Sequence, residues 1–239
     1  MGLRGAAPHN AGMTSVLRGI SSMATRQVLG ELAADCEKQS GVRVEIESVG
    51  GVDAAKRVQA GEAFDLVFLA ADAIDKLVAA GKAAGRVDLV RSGVAVAVQA
   101  GAPRPDLSSE QAMKQSVLAA ASIGYSTGPS GTALLQLFGR WGIAEQLQGR
   151  LVQAPPGVPV GTLVARGEVA LGFQQLAELI HLQGIDIAGA LPEPVQIITT
   201  FSGATCTASQ HAGAAREVLA FMASPQAAQA KRRQGMEPA

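Results

Sequence analysis

Apolar positions along the chain recur in two alternating rhythms, short contiguous or every-second-residue runs and longer stretches spaced every three to four residues. Thr14-Ser-Val-Leu-Arg-Gly-Ile20 reads as a first strand. Met23, Val28, Leu29 and Leu32 then mark the apolar side of a helix from about Met23 to Gln39, closed by Ser40-Gly41. Val42 to Ser48 alternates apolar and polar, as a half-buried strand does, and Val49-Gly-Gly-Val-Asp53 turns into a helix ending at Gly61. Phe64-Asp-Leu-Val-Phe-Leu69 is apolar throughout except Asp65, the pattern of a strand inside a parallel sheet. Asp72 opens a helix over Ala73 to Ala80, Asp88 to Arg91 reads as a connection, and Ser92 to Gln99 as another strand. Strand and helix alternate, which predicts a doubly wound α/β fold.

The second half keeps the alternation. Ser108 and Gln111 stand at capping-box spacing before a helix. Ser122 to Thr132 reads as a short strand, a tight Gly/Pro turn and a helix start, with the helix running from Thr132 to Trp141. Leu151-Val-Gln153 predicts a strand, Ala154 to Pro159 a stiff loop, and Val160 to Arg166 a helix. Gly167 to Phe173 gives a turn and a buried strand that stops at Gln174-Gln175, and Leu176 to Leu182 is helical. Val195 to Phe201 is a β-branched strand, and helices near Ala212–Ala223 and after Ser224-Pro225 close the chain. Glu178, His181, His211 and Lys231-Arg-Arg233 read as solvated helix faces.

Three strand–turn–helix junctions carry the candidate chemistry. The first strand ends in Ser21-Ser22. The second junction holds Gly50, Gly51 and Asp53. The third holds Tyr125, Ser126, Thr127, Ser130, Gly131 and Thr132. A helix start leaves backbone N–H groups unpaired and carries partial positive charge, so an oxyanion or carboxylate can sit there. Gly128 and Gly131 would let a ligand approach the backbone. Each junction also has a plainer reading. Ser22 serves equally as an N-cap, and Asp53 as a cap or first-turn charge rather than a base. Gln174 and Gln175 either donate to a ligand carboxylate or simply open a solvated helix.

Composition narrows the choices. The chain has 239 residues, 20 basic and 20 acidic side chains, and no net formal charge. Without a basic footprint it is not expected to bind nucleic acid. With 3% aromatics it offers few stacking surfaces. No apolar run approaches the roughly 20 residues of a membrane span, so no membrane insertion is expected. Met1 to Gly12 is Gly/Ala/Pro-rich without an apolar core, reading as a disordered lead over 1–13, with Met13 an alternative start. That points to the cytoplasm for the chain as given, and to the periplasm if an export signal has been removed. Cys36 reads as a buried thiol within a helix, and Cys206 lies too far along the chain to share a metal-ligand spacing with it.

At this point an ordered set of segments resembles the bacterial solute-binding proteins of the periplasmic molybdate-binding type. The segments are Ser21-Ser22-Met23, Ser40 to Val44, Val49-Gly-Gly51, Gly61 to Asp72, Pro129-Ser-Gly131, Val164 to Gly172 and Phe221 to Pro225. The resemblance implies two α/β lobes joined by a two-segment hinge: 14–92 with 201–239, and 93–200. The ligand would lie between them, held by Ser21, Ser22, Gly50, Gly51, Ser126, Thr127, Ser130, Gly131, Thr132, Val158, Gln174 and Gln175. Two departures stand out. Molybdate binders carry a Ser where this chain has Gly50 or Gly51, and a Tyr where it has Gln174-Gln175. Ser21 to Gln27, Ser48 to Ala55 and Gly172 to Leu176 are similar to the aconitate isomerase branch of the family. That branch implies a cofactor-free, metal-free shift of an allylic double bond in a tri- or dicarboxylate, with Tyr125, Ser22 and Asp53 as candidate proton carriers. The alternative is a binding protein delivering molybdate, another oxyanion or an organic acid to an ABC permease.

Overall fold

The computed structural model describes residues 16–239; the lead over 1–13 and the expected strand start at Thr14 lie outside the described residues. The elements in order are β1 (Leu17–Ser22), a 3-10 turn (Met23–Thr25), α1 (Arg26–Ser40), β2 (Val44–Val49), α2 (Gly51–Gln59), β3 (Leu66–Ala70), α3 (Ala71–Ala79) and β4 (Ala83–Gln99). They continue as α4 (Glu110–Ala119), β5 (Ile123–Tyr125), α5 (Pro129–Arg140), β6 (Leu151–Gln153), α6 (Val160–Ala165), β7 (Leu171–Gln175), α7 (Leu176–Leu179) and β8 (Ile185–Ala190). The last are β9 (Ile198–Cys206), α8 (Ala212–Ala223), α9 (Ala228–Arg233) and β10 (Glu237–Pro238).

Strands run in the order β2-β1-β3-β9-β4-β7-β5-β6. β1 lies parallel between β2 and β3, while β9 runs antiparallel to both β3 and β4. β4 is the strand common to both halves. Its first part, through Gly93, pairs with β9; from Val94 onward it pairs with β7 and β8. Helices cover both faces of each half. In the first, α1 and α8 pack on one side and α2 and α3 on the other. In the second, α4 and α5 face α6 and α7. Burial on both faces is why β3 reads as an uninterrupted apolar run, with Leu66, Val67, Phe68 and Leu69 all in the core. The result is the two-lobed, doubly wound α/β architecture expected.

Several local readings are corrected. The connection expected at Asp88 to Arg91 belongs to β4. Register shifts at Ala84/Val87 and Asp88/Val90 accommodate its irregular part. There Arg86 pairs outward with Asp88 at 2.8 Å and Asp75 at 2.9 Å, while Leu89 and Val90 turn into the core. β8 was not anticipated; it pairs antiparallel with β4. α4 is capped by Ser109, whose Oγ accepts from the Ala112 N–H at 3.0 Å; Ser108 instead donates its N–H to Asp106. α5 begins at Pro129 rather than Thr132, because proline fits the first helical position. Lys231 is 1% exposed, on the face of α9 that also buries Ala230. Both cysteines are free and buried.

Candidate functional site

In the first lobe, β1 delivers two hydroxyls to the start of α2. Ser21 is fully buried; its Oγ donates to the Ser22 carbonyl at 3.0 Å and lies 2.7 Å from Ser48 Oγ, which leaves Ser48 as the donor of that pair. Ser22 is different. It is 8% exposed, and its Oγ is buried with no hydrogen-bond partner among the described residues. It does not cap the following 3-10 turn. Gly51 stands against it, since a Cβ there would come within 3.6 Å of Ser22 Cβ. Gly50 is the N-cap of α2 and has no side chain to bond the first-turn N–H groups of Gly51, Val52 and Asp53. Asp53 caps nothing. It is exposed in the first turn, where its charge complements the helix dipole.

In the second lobe, β5 ends at Tyr125 and the chain folds tightly into α5. Ser126 Oγ accepts from the Gly128 N–H at 3.3 Å and lies 3.1 Å from the buried Ser130 Oγ. Gly131 is required for a reason other than ligand approach: a Cβ there would lie 1.8 Å from the Ser126 carbonyl oxygen. Thr127 and Thr132 are exposed on the rim of this turn. The Ala154 N–H donates to the Tyr125 carbonyl at 2.9 Å, which brings the 154–160 loop beside the turn. Val158, in that loop, donates its N–H to the Pro155 carbonyl.

Gln174 and Gln175 do not open a solvated helix; both are buried at the end of β7. Gln174 Oε1 accepts from the Val160 N–H at 2.8 Å and so caps α6 from a neighbouring strand. Gln175 points to the strands that join the lobes. Its Oε1 accepts from Ser92 Oγ at 2.6 Å, and its Nε2 donates to Thr199 Oγ1 at 3.3 Å. Glu178, expected on a solvated face, is half-buried; burial pushes its carboxyl up to about 7, partly offset by a hydrogen bond from Gln174. His181 and His211 are exposed, as expected.

The structure therefore gathers Ser21, Ser22, Gly50 and Gly51 in one group. A second group is Tyr125, Ser126, Ser130 and Gly131, and a third is Gln174, Gln175 and the start of α6. Sequence reasoning missed Ser48, Ser92, Thr199 and Glu178. Ser92 and Thr199 were visible as polar residues in otherwise apolar strands, but nothing in the sequence pairs them with Gln175. A groove of ≈ 430 Å³ lined by Thr205, Cys206 and Arg216 is not this site. Thr205 pairs with Leu66 at the start of β3, at the opposite end of the strands from Ser21 and Ser22.

Two lobes sharing their crossing strands, with helix starts and hydroxyls at the ends of the parallel strands, define the type II fold of the periplasmic binding proteins. The chain belongs to the bacterial extracellular solute-binding protein family, whose model matches residues 17–237. It is 41% identical over 227 residues to an aconitate isomerase from a Pseudomonas species, covering 92% of this chain and 86% of that protein. Among solved structures it superposes on the periplasmic molybdate-binding protein of Azotobacter vinelandii with a TM-score of 0.76, at 22% identity, over 92% of this chain and 98% of that one. The sulfate-binding protein of Mycobacterium tuberculosis H37Rv gives a TM-score of 0.75 at 17% identity, over 94% of this chain and 87% of that one.

Proposed function

We propose that the chain is an isomerase that moves the double bond of an aconitate-like unsaturated polycarboxylate bound between the two lobes. We assign residues 14–92 and 201–239 to one lobe and 93–200 to the other. Ser22 carries the reading structurally. A buried hydroxyl without a partner is costly unless a ligand completes it. Beside it, α2 offers first-turn N–H groups and no side-chain cap, which suits a carboxylate. Ser126, Thr127, Ser130, Gly131 and Thr132 supply the facing group, Gln175 an amide at the joint, and Gly50 or Gly51 in place of a hydroxyl leaves room for a ligand larger than a tetrahedral oxyanion. The identity to an aconitate isomerase supports catalysis over simple carriage.

The chemistry needs no redox partner. A proton leaves the methylene carbon next to one carboxylate, and the electron pair spreads over the three-carbon unit. A proton then returns at the far carbon, so the double bond has moved and no atom is gained or lost. Positioned N–H and O–H donors stabilise the charge that builds on the carboxylates. The test is direct: purified protein with trans- or cis-aconitate, followed by absorbance. Interconversion supports the reading, and two unchanged spectra remove it.

The structural relatives favour one alternative, a binding protein that hands an oxyanion or organic acid to an ABC permease. A melting panel separates the two. A selective rise with molybdate, tungstate or sulfate supports carriage, because a ligand at 100 times its Kd adds about 2.7 kcal/mol to stability. The family description, extracellular, supports a site of action outside the cytoplasm for either reading.

A further inference from the structure

We propose that Glu178 is the proton carrier of this isomerisation, an assignment that rests on the isomerase reading above. Its carboxylate takes the proton from the methylene carbon. The freed pair becomes part of a delocalised three-carbon anion, and the Glu178 carboxylic acid returns the proton to the far carbon. One group acting on both carbons leaves the protein unchanged after each turnover.

Geometry singles this residue out. α7 follows directly on Gln175, and it packs against the Met23–Thr25 turn, which is the chain leaving Ser22. Glu178 therefore sits where the two lobes meet, on an element whose Ala177 is buried in the core of the opposite lobe. Gln174, at the end of β7 and held through its Oε1 by the Val160 N–H, is the polar side chain that eases this burial. Among the described residues Glu178 forms no ion pair. The elements packed on α7 supply no neutralising charge. The Met23–Thr25 turn, α6 and β7 contain no ionisable side chain, and Arg91 of β4, His181 and Lys231 do not pair with it. A half-buried acid with no cation beside it is poorly explained as a stabilising device.

Its proton affinity suits the task. Burial holds the carboxyl near 7, and proton carriers work best when their pKa lies close to the working pH. The residues named from sequence serve less well. Asp53 is exposed in the first turn of α2.

The experiment compares the full chain with Glu178→Gln and Glu178→Asp. Turnover of trans-aconitate is followed by proton NMR in D2O, and binding by calorimetry with the same compound. Glu178→Gln is expected to lose at least about 100-fold in kcat with Kd changed by no more than about three-fold. Glu178→Asp is expected to keep part of the rate. In the wild type, kcat/KM should fall as pH drops through about 7. A Glu178→Gln variant within about three-fold of wild-type kcat overturns the assignment while leaving the isomerase standing. A wild-type profile flat from pH 5.5 to 8.5 does the same without relying on any variant. A wild type inactive on both aconitates removes the isomerase, and this assignment with it.

Discussion

Ser22 and Gly131 show how differently two residues from one predicted set can act. Ser22 Oγ has no partner among the described residues, so its removal should cost binding and not folding. Ser22→Ala is expected to weaken trans-aconitate binding about 10-fold or more, the loss of a hydrogen bond to a charged group, with the melting temperature unchanged or slightly raised. Calorimetry and a thermal melt check both halves. Gly131→Ala should do the reverse, since its new methyl would collide with the Ser126 carbonyl. We expect a loss of about 1–3 kcal/mol in chemical denaturation. Glu178 adds a pH signature. Its folded pKa is raised above the unfolded value, so its contribution is fully present at low pH and is lost as pH rises through about 7. Glu178→Gln should therefore gain melting temperature over wild type at pH 8 and match it near pH 4. The sequence shows Ser22 and Gly131 at a helix start, but not that one hydroxyl lacks a partner or that one Cβ has no room. Glu178 was illegible because a glutamate in a first helical turn is ordinarily solvated; only packing of α7 against the other lobe buries it.

Elements were read well where periodicity was strong and poorly where tertiary pairing decided. The continuous apolar run of β3 and the apolar side of α1 predict themselves. β4 does not, because Arg86, Asp88 and Arg91 interrupt its pattern, and two register shifts are needed to keep it in the sheet. The three-way contact of Ser92, Gln175 and Thr199 ties β4, β7 and β9 where the strands pass between lobes. Ser92→Ala leaves the Gln175 carbonyl unpaired in a buried place, at a cost of about 1–3 kcal/mol, readable from the denaturation midpoint. Lys231 on α9 is a second case of burial overriding pattern. Three consecutive basic residues look solvated, yet the first faces the core with its ammonium disfavoured by desolvation. Lys231→Met keeps the packing and removes that cost, so its melting temperature should rise.

At the scale of the molecule, the alternation of strands and helices carried the doubly wound class, and the ordered set of short segments carried the family. What periodicity could not supply was the return of β9 between β3 and β4, which makes two strands the joint between the lobes. That joint is also why residues separated by more than 80 positions, such as Ser92 and Gln175, meet. The helix starts at Gly51 and Pro129 and the buried amides of β7 form the groups we assign to a single anionic ligand; the chemistry we assign to them can be read in one tube. Purified protein is incubated with trans-aconitate in D2O and followed by proton NMR. The account predicts that cis-aconitate appears. A spectrum that stays unchanged, from a protein whose melting temperature rises with molybdate and not with aconitate, would contradict it.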